Sequence, residues 1–152
     1  MVMKRRTKPS PRQNNAPMTK EMLLPLSAGV AQQKSLRHHL ALASLQTGNG
    51  STDAIGKLFH AIYVAYFVHE ATVRRRDLDV FRIAEAALHE SAARGKASDV
   101  WEISDDGRAA IERVLLMHDQ QLTNAPVHVI SSAQERLDRF LTTDELSPIA
   151  GA

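Results

Sequence analysis

Residues 52–73 constrain the fold of this chain more than any other stretch. Ile55, Leu58, Phe59, Ile62, Tyr66 and His69 share one arc at about 100° per residue, and Val64, Phe67 and Val68 fall on the other side. A helix that is apolar nearly all round must be covered by neighbours on several sides. It therefore predicts a central helix inside a helical bundle. The longest unbroken apolar run, residues 61–68, is far shorter than the ~20 residues of a membrane span. Lys57, His60, His69 and Glu70 bracket it, so burial in protein is expected and not membrane insertion.

The remaining elements fall around this helix. A helix over about 27–46 precedes it, with Leu36, Leu40 and Ala43 spaced to share an apolar face. Gly48, Asn49 and Gly50 stop that helix, and Ser51 or Thr52 caps the next, with Asp53 at the positive end of its dipole. Gly56 lies inside the central helix at a cost in helix stability, which suggests close approach of another helix. A helix over about 77–94 buries Val80, Phe81, Ala84, Ala87, Leu88 and Ala92, with Gly95 as its stop. Residues 100–103 read as an extended link anchored by Trp101. Ser104 caps a fourth helix carrying Ile111, Val114, Leu115, His118 and Leu122. Pro126 opens a fifth, with Ile130, Ala133, Leu137, Phe140 and Leu141 as its stripe.

No stretch alternates with the period of a strand. The expectation is an all-α fold: a five-helix bundle with a buried central helix at about 52–73 and a disordered basic N-terminal arm. Residues 1–20 form that arm, 21–145 a single helical domain, and 146–152 a frayed tail. Residues 22–26, an apolar strip around Pro25, are expected to lie extended on the body.

The arm carries the clearest pointer to a partner. Its twenty residues hold six basic side chains and no acid, whereas the rest of the chain holds thirteen basic and seventeen acidic ones. The formal net charge of +2 thus combines +6 on the arm with −4 on the body. Clustered Lys and Arg attract phosphate backbones by charge and counterion release. Lys4, Arg5, Arg6, Lys8 and Arg12 are the candidate phosphate contacts, without base readout, because the arm has no aromatic residue to stack on bases. Arg74, Arg75 and Arg76 could extend the same surface, although a solvated turn paired with neighbouring acids is the plainer account. A DNA-reading helix-turn-helix would best fit the last two helices, with Gln134, Arg136 and Arg139 exposed for reading.

Catalytic and metal chemistry find little support. With no cysteine, disulfides, thiolate catalysis and Cys-type zinc sites are excluded. Gly-rich phosphate loops, nucleophile elbows and paired acid/base motifs are missing. Of the seven histidines, His38 and His39 diverge by about 100° on a helix and do not readily share an ion. Glu85 and His89 stand at i, i+4, but on a polar arc with Arg82, where an exposed pair is expected. His69 and His118 both fall on apolar faces and could meet inside the bundle as a pH-sensitive pair. His60, Tyr63, Tyr66 and Phe67 could line a small pocket, with core packing the better reading. The expectation is a protein without catalytic residues, metal or cofactor.

His38-His39-Leu40-Ala41-Leu42, Gly48-Asn49-Gly50, Tyr63 with Tyr66-Phe67, His118-Asp119 with Gln121-Leu122, and Arg139-Phe140-Leu141 with Ser147-Pro148 occur together. In these stretches the chain resembles small uncharacterised bacterial helical proteins often labelled "Fis family transcriptional regulator". The resemblance spans roughly residues 20–149 and implies a DNA-binding transcriptional regulator. Fis-like proteins end in a basic helix-turn-helix, whereas this chain runs Thr142-Thr143-Asp144-Glu145-Leu146-Ser147-Pro148, so no DNA-reading residues carry over.

The functional expectation is a non-enzymatic nucleic-acid-associated protein, with transcription regulation as its context. The alternative is a helical protein–protein interaction module, homodimeric or docking another protein, motivated by the apolar central helix and the 22–26 strip. The N-terminus lacks the apolar run of a signal peptide, and no hydrophobic segment follows Arg5-Arg6, so a cytoplasmic location is expected.

Overall fold

The structure is a computed structural model, described here over residues 17–73 and 77–149. The described residues are all-helical: α1 (Lys20–Leu23), α2 (Ala28–Gln46), α3 (Thr52–Thr72), α4 (Asp79–Ser98), α5 (Asp105–Asn124) and α6 (Val127–Phe140). The sixth helix, beyond the five expected, is the single turn α1. It takes up the start of the apolar strip that was expected to be extended throughout. From Leu24 the strip does run extended. Val127 N–H donates to the Leu24 carbonyl at 2.9 Å, and Pro25 lies bridged to Pro126. No described helix is long and apolar enough to cross a membrane.

α3 is the axis of the fold. Eleven of its residues are buried, and it packs against α2, α4, α5 and α6. Leu58, Ala61, Ile62 and Ala65 have no exposed surface at all. Burying a side chain the size of Leu or Ile contributes about 1.5–3 kcal/mol, so this one helix carries much of the core. Its start follows from Ser51, whose hydroxyl accepts from Ala54 N–H at 3.1 Å. Ser104 caps α5 in the same way through Gly107 N–H at 3.2 Å.

Two local expectations are corrected. On α2 the inward face is Ala31, His38, Ala41, Leu42 and Leu45. Leu36 and Leu40, expected to face inward, are each 59% exposed. The buried stripe carries two leucines of its own, Leu42 and Leu45, in register with His38, so α2 buries comparable apolar area with Leu36 and Leu40 turned outward. Gly95 does not end its helix: α4 continues to Ser98 and terminates at Asp99, in the left-handed conformation (φ 57°). Gly95 instead makes room for Trp101, whose indole ring occupies the space a Cβ would need. Gly50 leaves similar room for the Trp101 Cβ and for Leu45. Trp101 thus clamps the 99–104 link between the α2–α3 turn and α4, and its Nε1–H donates to Asp99 Oδ1 at 2.9 Å.

The C-terminal end is tied down through residue 149, inside the segment expected to fray. Ile149 is buried, and Ser147 Oγ donates to Glu85 at 2.8–3.0 Å.

Candidate functional site

Two adjacent dipeptides meet between α2 and α5. His38 and His118 bring their rings to 5.5 Å between centroids, and His39 Nε2 lies 2.8 Å from Asp119 Oδ2. Adjacent residues on a helix diverge, so each helix sends one member into the core and keeps the other at the surface. His38 and His118 are the buried members, 8% and 3% exposed.

The proton on His118 can be placed from its neighbours. Gln121 Nε2 donates to the Ala65 carbonyl at 3.0 Å, because a carbonyl can only accept. Gln121 Oε1 must then face His118, at 2.9 Å from Nδ1, and Nδ1 carries the hydrogen. Among the described residues His38 has no such brace: its Nδ1 is buried without a hydrogen-bond partner. Burial, with His118 and His60 nearby, pulls the His38 pKa down to about 4, while Asp119 opposes the shift. Burial likewise lowers His118, although its bond to Gln121 works the other way. His60 is lowered by burial and then by Lys34.

These imidazoles line a cavity of about 380 Å³ between α2, α3, α5 and α6. Lys34 and Arg37 from α2 and Lys57 from α3 bring positive charge to it, and Val64, Leu122 and Ile130 supply apolar lining. Lys57 is paired with Asp53 at 2.7 Å. Among the described residues, Lys34 and Arg37 have no carboxylate partner. The cavity is therefore biased toward anions. Among the described residues, no three His, Asp or Glu side chains converge as metal ligands do.

A second cavity, about 420 Å³, lies between α3, α4 and α6. Phe59, Tyr63, Leu137, Phe140 and Leu146 make it apolar. It shares Gly56 and His60 with the first. Behind it, Tyr63 O–H donates to Glu85 Oε2 at 2.7 Å, and the buried carboxylate pushes the phenol pKa up, after burial itself.

The side chains singled out in the sequence are distributed as follows. Lys4, Arg5, Arg6, Lys8 and Arg12 lie outside the described residues, as do Arg74, Arg75 and Arg76. His118 does meet a histidine inside the bundle, but the partner is His38, and the His69 ring lies tilted against Phe81 at 5.4 Å between centroids. Of the expected exposed pair, His89 is exposed, its ring 4.9 Å from Phe59, whereas Glu85 is buried under Tyr63 and Ser147. His60 and Tyr63 line a cavity as the pocket reading had it, whereas Tyr66 and Phe67 pack against each other in the core. Arg136, a candidate for base reading, is held by Glu70 at 3.3 Å and lies 4.5 Å over the Phe67 ring. Gln134 lines the cationic cavity. Lys34 and Arg37 were not anticipated. Their spacing to His38, at i+4 and i+1, was visible, but the leucine face had pointed α2 the wrong way round.

No protein-family model matches the chain, and no curated protein or solved structure matches it either.

Proposed function

We propose that this is a non-enzymatic, cytoplasmic nucleic-acid-associated protein that contacts phosphates through Lys4, Arg5, Arg6, Lys8 and Arg12, in a regulatory context such as transcription. The observation that carries this reading is the separation of charge along the chain, six basic residues and no acid in the first twenty against an acidic remainder. Binding of this kind is sequence-tolerant and weakens steeply with salt. The test is fluorescence anisotropy of labelled duplex DNA and RNA with the full chain and with a variant in which the five arm residues are Ala. Loss of binding in the variant supports the reading, and equal binding by both proteins rejects it.

A second reading is an interaction module that pairs with itself or another protein. Leu36 and Leu40, one helical turn apart and each 59% exposed, favour it. A light-scattering mass equal to one chain at every concentration would count against self-association.

A further inference from the structure

Gly56, midway along the first half of the central helix, is exposed and has no neighbour within 4 Å of the position a Cβ would take. Close helix approach, the usual reason for such a glycine, is therefore not its role. What Gly56 does border is both cavities, the cationic one on the α2 side and the apolar one on the α4 side. A larger side chain here would project into the space between them.

We propose that the two cavities form one binding site for a small amphiphilic organic anion, whose acidic head lies toward Lys34 and Arg37 and whose apolar body crosses Gly56 into the cavity lined by Phe59, Tyr63 and Phe140. Three observations converge on this occupant. Lys34 is half-buried and, like Arg37, has no carboxylate partner among the described residues, so an anion would supply the missing countercharge. The adjoining cavity offers rings and aliphatic side chains and almost no polar surface, which suits a hydrocarbon chain or ring. Gly56 leaves the passage from head to tail open, with His60, which borders both cavities, beside it. Carboxylates and phosphate monoesters share the required chemistry. The site is independent of the N-terminal arm, so it stands or falls separately from nucleic-acid association.

Calorimetric titration of the full chain tests it, with decanoate, decyl phosphate, 1-decanol and inorganic phosphate as probes, all below micelle-forming concentration. Decanoate or decyl phosphate, or both, should bind at least tenfold more tightly than decanol and inorganic phosphate, and the tighter of the two identifies the head group. Gly56→Leu should weaken that binding at least tenfold while the melting temperature holds or rises, since leucine favours helix more than glycine. Lys34→Ala with Arg37→Ala should reduce the anion to the affinity of decanol. Decanol binding as tightly as decanoate, unchanged affinity in Gly56→Leu, or no binding by either anion would each overturn the proposal.

Discussion

The His38 and His118 rings lie 5.5 Å apart inside the bundle, and the next residue along each helix, His39 and Asp119, meets at 2.8 Å. The α2–α5 contact is therefore polar in both layers, beside a core of aliphatic and aromatic side chains. Two buried imidazoles tolerate each other while both are neutral. A proton on either must be placed in a poorly solvated site facing a second titrating ring and Lys34.

Acid should destabilise the protein through this pair. His38 has its folded pKa lowered to about 4, below the ordinary value of 6.5. Its contribution to stability is complete above pH 6.5 and is lost as pH falls from there toward 4, because the unfolded chain takes up the proton first. The loss is at most about 3 kcal/mol, less to the extent that water enters the adjoining cavity. Melting temperature measured from pH 8 to 4 should drop across this window. In His38→Gln the drop should be shallower.

Gly95→Val should be among the most damaging single changes. The indole of Trp101 already fills the Cβ position, and α4 backbone cannot retreat without disturbing its packing on α5. Overpacking of this kind costs about 1–3 kcal/mol. Combining it with Trp101→Ala should recover part of the loss in a urea unfolding series, since the clash is with that ring.

Glu85→Ala should cost about 1–3 kcal/mol, because it strips the acceptor from the buried Tyr63 hydroxyl and releases Ser147. Tyr63→Phe should cost less, since Ser147 still satisfies the carboxylate. Amide exchange near Ile149 should accelerate in Glu85→Ala and stay slow in Tyr63→Phe.

The helical architecture was legible because α3 declares itself: an apolar surface nearly all round leaves no solution except burial among helices. Caps were legible for the same local reason, as Ser51 and Ser104 show. The candidate site was not. Its charges come from Lys34 and Arg37 on a helix with two competing apolar spacings: Leu36 and Leu40 point outward, whereas Leu42 and Leu45, on the stripe that carries His38, point in. Gly56 was recognised as costly, but whether its missing side chain admits a helix or leaves open space depends on elements distant in sequence. Glu85 looked exposed because its acceptors' partners, Tyr63 and Ser147, lie 22 and 62 residues away.

The most direct test of nucleic-acid association is the salt dependence of duplex DNA binding by the full chain. Five phosphate contacts should give a slope of log affinity against log salt of about −4 to −5. Replacing Lys4, Arg5, Arg6, Lys8 and Arg12 by Ala should bring that slope close to zero. A slope that is the same with and without those five side chains, or no binding by the intact protein at the lowest salt, would contradict the account.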